Sequence, residues 1–278
     1  MRTIVHLSDL HFGRVDAALL APLRALVERL EPDVVVVSGD LSQRARSAEF
    51  IAARHFLDSL PGPQIVVPGN HDVPLYNVFS RFLTPLRQYR QHVTHDLSPE
   101  YVDDEIAVLG INTARSLTFK DGRISHEQIA ALRARLGQLP QGLTRIIVTH
   151  HPFDLPPNFN LKDLVDRAPL ALAMFAECGV DLLLAGHLHA SVAGNTAERY
   201  KIDGYAALMV QAGTATSTRG RGESNSFNVL RIDSSCIRVE RYSWNDESRD
   251  FEKVSTEAFA RSGGVWASQR ALSNAGSA

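Results

Sequence analysis

The stretch DLLLAGHLH, Asp181 to His189, sets four apolar residues, Leu182 to Ala185, directly before a glycine and two histidines separated by one leucine. A short apolar run that stops at a turn residue reads as a strand buried on both faces. The histidines then fall where the chain leaves the strand. Four other stretches repeat the arrangement: TIVHLSDLH from Thr3, DVVVVSGDL from Asp33, QIVVPGNHD from Gln64 and RIIVTHHPF from Arg145. Each apolar run ends in a tight turn whose side chains can bind a metal.

Helical patterns separate these runs. In DAALLAPLRALVERL, residues 16–30, leucines and a valine recur at helical spacing with Arg24, Glu28 and Arg29 on the other face, which predicts an amphipathic helix. Further helices are predicted at 46–60 and 78–92, and one opens at Ser125 with Gln128 completing a capping box. Strands are predicted at 34–37, 64–67, 105–111, 144–149 and 181–185. Such alternation predicts an α/β fold with parallel strands and crossover helices.

After residue 190 the pattern changes to short strands, at 190–194, 205–211, 226–232, 236–243 and 250–255, with turns between them. This half is expected to be mainly antiparallel and to form a second sheet packed on the first. No Pro/Ser/Gly linker divides the chain, so residues 1–260 read as one domain. Residues 261–278 read as a flexible tail, its end small and polar.

The chain has 278 residues, 44% of them hydrophobic and 22% charged, which allows a sizeable core. Its formal net charge of −2 offers no basic stripe for duplex nucleic acid, so no nucleic-acid partner is expected. The two cysteines, Cys178 and Cys236, can build neither a disulfide framework nor a cysteine-ligated zinc site. The N-terminus enters a strand without a secretory signal, and no apolar run approaches the roughly 20 residues of a membrane helix. A cytoplasmic protein is expected, and an exposed edge strand could pair with a second copy to make a homodimer.

In open α/β sheets the carboxyl ends of parallel strands meet along one edge, so residues just after each strand converge. Here that edge collects Asp9, His11, Asp40, Asn70, His71, Asp72, His150, His151, His187 and His189. A set of carboxylates, an amide oxygen and imidazoles suits borderline transition metals such as Mn, Fe, Zn or Co. It exceeds the four ligands of one tetrahedral ion, so two divalent ions are expected, with Asp40 the natural bridge. Gly39, Gly69 and Gly186 each precede a candidate ligand, where a sharp backbone turn out of the strand is expected.

The blocks DLH, GD, GNHD, H and GHLH, in that order over residues 9–189, resemble those of the calcineurin-like metallophosphoesterase superfamily. The resemblance implies a four-layer α/β/β/α sandwich, two mixed β-sheets flanked by helices. It places Asp9, His11 and His189 on a first metal, Asn70, His150 and His187 on a second, and Asp40 between them. His71 would reach the substrate phosphate, with Asp72 placed to orient it or simply to cap a turn. The implied reaction is attack on phosphorus by a hydroxide held between the two ions, with His71 either stabilising the pentacovalent charge or protonating the leaving alkoxide.

Within the superfamily, GDLSQRAR and GNHD depart from the protein phosphatase blocks, and Gln43 stands where purple acid phosphatases carry a tyrosine ligand. HLSDLHFG, VTHHP, AGHLH and the late GTATSTR block, with NSFNVLRI after it, resemble the class III cyclic nucleotide phosphodiesterases and bacterial glycerophosphodiesterases. The resemblance therefore implies a phosphodiesterase for a small substrate, a cyclic nucleotide first and a glycerophosphodiester or phospholipid head group next. An inactive binding scaffold and a nuclease are the competing readings.

Gly213 to Arg221 forms a polar loop that could return to the metal edge. Arg115, Arg219, Arg221 and Asn225 are candidates for a second contact with phosphate or nucleoside. His6, His55, His92, His95 and His126 read as structural or solvated, whereas His151 could line the pocket or pack. Residues 151–160 and 77–93 are candidate walls of the substrate mouth, where specificity would reside.

Overall fold

The computed structural model describes residues 1–75, 78–115, 121–155, 161–218 and 223–269. The chain opens with β1 (Arg2–Leu7), α1 (Ala17–Leu30), β2 (Val34–Ser38), α2 (Ser47–Asp58) and β3 (Gln64–Val67). Asp16 caps α1 by accepting the Ala18 N–H at 3.0 Å, and the helix buries Leu19, Leu23, Leu26 and Val27. Two short helices follow, α3 (Val78–Leu83) and α4 (Arg87–His92). The sequence pattern merged them, but Pro85 lies between and cannot continue a helix.

The middle of the chain supplies β4 (Glu100–Val102), β5 (Ile106–Gly110), α5 (His126–Gly137), β6 (Thr144–Val148), α6 (Ala168–Glu177), β7 (Leu182–Ala185), β8 (Val192–Asn195) and β9 (Leu208–Gln211). Ser125 and Gln128 form the predicted capping box on α5, each side chain accepting from the other's backbone N–H at 3.1 and 3.0 Å. Four antiparallel strands close the chain: β10 (Ser226–Ile232), β11 (Cys236–Asn245), β12 (Asp250–Ser262) and β13 (Val265–Ser268).

The sheets do not divide the chain in halves as the sequence pattern implied. One has the order β13-β12-β11-β10-β1-β2-β3, the other β4-β5-β6-β7-β9-β8. The late antiparallel strands thus extend the first parallel unit, through β10 paired antiparallel to β1. β9, expected to be antiparallel, runs parallel to β7. β13 falls within the stretch read as a tail, and Trp266 anchors it in the core with 1% exposure.

Three buried clusters give the layers. Val5, Leu7, Val35 and Val37 pack outward against α1 and α2, while Ala107, Leu109 and Ile147 pack against α5 and α6. Between the sheets, Ile4, Val34, Val36 and Ile65 face Ile106, Val108, Ile146 and Leu184. The architecture is therefore two mixed sheets between helical layers, and β2 and β7 are near-continuous apolar runs because both of their faces are covered. Among the described residues no helix is long and apolar enough to cross a membrane.

Truncating the fully buried Leu184 in the inter-sheet core to alanine is expected to cost about 2–5 kcal/mol. Val254→Ala, on the exposed face of β12, should stay within about 0.5 kcal/mol. Denaturant midpoints of the two variants check this; equal losses would contradict the layer assignment.

Candidate metal centre

β1, β2 and β3 end beside β6 and β7 of the other sheet, so the site straddles the sandwich. Cross-sheet contacts stitch it together: His150 Nδ1 lies 2.8 Å from the Ser38 carbonyl, and the His187 N–H donates to Asp9 Oδ2 at 3.1 Å. Asp9, His11, Asp40 and His150 are essentially inaccessible to solvent. All seven residues expected to bind metal converge here.

Their ligand atoms form two groups. His11 Nε2 stands 3.5 Å from Asp9 Oδ1 and 3.6 Å from Asp40 Oδ2, and His189 Nε2 stands 3.6 Å from Asp9 Oδ1. In the second group His150 Nε2 lies 3.4 Å from Asp40 Oδ1, and Asn70 Oδ1 is 3.1 Å from both His150 Nε2 and His187 Nδ1. Two ligands about 2.1 Å from one tetrahedral ion stand about 3.4 Å apart. Asp40 turns one oxygen to each group.

Protonation favours cations in these places. A carbonyl only accepts, so the Ser38 contact requires a proton on His150 Nδ1, and in a neutral ring Nε2 then carries a lone pair. That lone pair faces two oxygens, Asn70 Oδ1 and Asp40 Oδ1. A cation there would be held by His150, Asn70 and Asp40 together. Asp9 Oδ1 is buried and accepts no hydrogen bond, another atom suited to a cation.

Burial would raise the Asp9 carboxyl, but His189, His11 and His150 outweigh it and hold the group well below its ordinary range. Asp40 is lowered in the same way, against burial, by His150, His11 and His71. His187 is pushed down to about 3 by burial and then by His150, so its ring is neutral at pH 7 with a lone pair available.

Five of these residues, Asp9, His11, Asp40, His187 and His189, adopt the left-handed backbone conformation, with φ from 49° to 73°. Such conformations cost about 1–3 kcal/mol each and persist where surrounding structure enforces them. The glycines act differently from the expectation. Only Gly39 has a positive φ, +92°; Gly69 and Gly186 are required by space. A Cβ on Gly69 would lie 2.2 Å from Asp40 Oδ1, and one on Gly186 would lie 1.8 Å from Ser8 Oγ.

Partners that the sequence did not single out complete the site. Ser8 Oγ donates to Asp9 Oδ2 at 2.7 Å, and Thr214 Oγ1 lies 2.6 Å from His189 Nδ1. Thr214 belongs to the polar loop predicted to return to this edge, and the loop does so, Ala215 N–H donating to the Ser8 carbonyl at 3.0 Å. His71 donates its backbone N–H to Asp40 Oδ1 at 2.9 Å, and its Nδ1 lies 2.9 Å from the Gln43 carbonyl.

Asp72 does not take the orienting role considered for it. Its carboxylate accepts the N–H groups of Leu41, Ser42 and Gly69 and the Ser42 hydroxyl, which fixes the turns carrying Asp40 and Asn70. Burial and then Asp40 raise its pKa to about 6, against those donors. Asn225 closes the loop by donating to the Thr214 and Ser217 carbonyls. His151 is buried, with Nδ1 2.9 Å from Thr113 Oγ1 and its ring centroid 4.7 Å from that of His187. Phe153 and Leu155 are buried and Asp154 pairs with Arg199, so residues 151–155 are anchored in the core. His6 is also buried, Nε2 against Ser38 Oγ, and burial pushes it down to about 3. Arg219, Arg221, Asn77 and residues 156–160 lie outside the described residues.

The family model described as calcineurin-like phosphoesterase matches residues 2–191. The chain is 28% identical over 214 residues to the glycerophosphodiester phosphodiesterase GpdQ of Enterobacter lignolyticus, covering 68% of this chain and 75% of that protein. It is 24% identical over 203 residues to the 3′,5′-cyclic adenosine monophosphate phosphodiesterase CpdA of Escherichia coli, covering 67% and 69%. A purple acid phosphatase from yellow lupin seeds matches in fold with a TM-score of 0.68 at 14% identity, over 94% of this chain and 54% of that one. The present chain thus spans about half the length of the lupin protein.

Gly186→Ala is expected to lower stability by about 1–3 kcal/mol through the overlap with Ser8. Gly137→Ala, at the end of α5 with open space around it, should stabilise by about 0.4–1 kcal/mol. Chemical denaturation of both variants checks this, and a neutral Gly186→Ala would contradict the close approach.

Proposed function

The chain belongs to the calcineurin-like phosphoesterase family and is a metal-dependent phosphoester hydrolase, and on that premise we propose that it cleaves a small phosphodiester at a dinuclear centre. A cyclic nucleotide is the first candidate substrate, a glycerophosphodiester or phospholipid head group the second. The observation that supports this reading is the pair of ligand groups sharing Asp40. Asp9, His11 and His189 would hold one ion, and Asn70, His150 and His187 the other. Divalent Mn, Fe, Zn or Co there supplies Lewis acidity, lowering the pKa of a bound water and neutralising phosphoryl oxygens.

The remaining chemistry falls to the chain's own side chains. The Ser38 and Thr214 contacts fix the rings of His150 and His189, so their Nε2 atoms are aimed before any ion arrives. With Nδ1 turned to the Gln43 carbonyl, His71 offers Nε2 to a phosphoryl oxygen or to the leaving alkoxide as general acid. Asp40 acts through both ligand groups and through the His71 backbone. Names of the two curated relatives support a diester over a monoester, and the free thiols of Cys178 and Cys236 suit a cytoplasmic location.

The test is turnover of bis(p-nitrophenyl) phosphate, cyclic nucleotides and glycerophosphodiesters by Mn²⁺-reconstituted protein, with metal content measured alongside. Chelation or acidification should remove ions and activity together, because the ligands bind only when deprotonated. Asp40→Ala is expected to lose both ions, whereas His71→Ala keeps them and slows turnover by about 10² to 10⁴-fold. Activity undiminished in excess chelator, or an Asp40→Ala variant that retains two ions, would overturn the proposal. Bound metal without turnover of any ester would favour the scaffold reading.

A further inference from the structure

A cavity of about 750 Å³ opens between residues 83–97 and residues 112–115. Its two walls continue from segments that carry the site. One runs through α3 and α4, downstream of Asn70 and His71; the other is residues 112–115, following β5, whose Thr113 contacts His151. The cavity exceeds what a phosphate and the metals require and is of the size that takes an organic ligand.

Its charge is one-sided. Arg87, Arg90, Arg115 and His95 line it, with Leu86 and Leu97 among the apolar residues, and no aspartate or glutamate stands in the described lining. Arg87 and Arg90 are exposed, but Arg115 is partly buried. The Arg115 guanidinium donates to Gln128 Oε1, an uncharged partner. Burial lowers its pKa first, followed by repulsion from Arg123 and Arg167, with Glu127 opposing. A partly buried guanidinium held by an amide, with cations for neighbours, gains most from an anion.

The guanidinium is also held in place. Gln128 closes the α5 capping box through Oε1 and donates its amide to the Asn112 carbonyl at 2.8 Å. The helix start therefore fixes both the wall and the arginine. Preorganised donors of this kind convert charge into selectivity because little ordering is left for the ligand to impose.

We propose that this pocket binds a second phosphate of the substrate, so that the preferred diester carries one phosphate at the metals and another on the ester group seated between Arg115 and Arg90. The inference rests on the diesterase reading above and narrows it. A cyclic mononucleotide with a single phosphate would leave these cations unneutralised.

Two chromogenic diesters that differ only in the second phosphate test this: thymidine 5′-(p-nitrophenyl phosphate) with and without a 3′-phosphate. The wild type should favour the 3′-phosphorylated compound by about tenfold in kcat/KM. That ratio should collapse toward one in Arg115→Gln and fall partway in Arg90→Gln, while Arg54→Gln, on α2 and paired with Asp58, keeps it. A wild-type ratio near one, or a ratio untouched by Arg115→Gln, would overturn the proposal.

A binding measurement separates this inference from the diesterase reading. Thymidine 3′,5′-bisphosphate is titrated calorimetrically into chelator-treated protein, so that no metal ion holds either phosphate. Binding that weakens about tenfold in Arg115→Gln and with added salt, with no heat from thymidine, supports the pocket even if no ester is cleaved. Equal affinity for thymidine, or no binding of the bisphosphate, would contradict it.

Discussion

Two carboxylates, Asp9 and Asp40, lie buried where two sheets meet, and the ion pairs found for them are with imidazoles alone. Burying ionised groups without a matching charge is among the costliest things a fold can do. The surrounding structure answers that cost. Imidazoles hold both acids ionised, backbone N–H groups reach Asp9 and Asp40, and ligand atoms stand at the spacing of a coordination sphere. Five left-handed residues mark how far the backbone is bent to achieve this.

Such strain requires a stiff frame, and the sandwich supplies one. β1, β2, β6 and β7 are covered on both faces, so the turns after them are anchored in close-packed core. Small residues let the turns approach. Gly69 and Gly186 are present because a methyl group would displace Asp40 or Ser8, not because the chain reverses there. Asp72 ties together the turns after β2 and β3 with four accepted hydrogen bonds.

Much of this was legible in the sequence. Strands ending in Asp, Asn and His can be read from local pattern, and parallel α/β logic alone sends their ends to one edge. All seven candidate ligands followed from that rule and from the ordered blocks. What escaped was decided by long-range pairing: β10 joins β1, which splits the strands between sheets differently from their order in the chain. The partners of His189, His151 and Asp9 escaped for a similar reason, since Thr214, Thr113 and Ser8 are ordinary hydroxyl residues until the fold sets them beside a ring or carboxylate. Arg115 drew notice as a basic residue, but its fixed position depends on a helix cap thirteen residues away.

The central claim is that these side chains close around two cations sharing Asp40. Anomalous diffraction from Mn²⁺-loaded crystals tests it most directly. The account predicts two peaks about 3.5 to 4 Å apart, one beside Asp9, His11 and His189 and one beside Asn70, His150 and His187, with Asp40 between them. A single peak, or metal bound elsewhere while both groups stay empty, would contradict it.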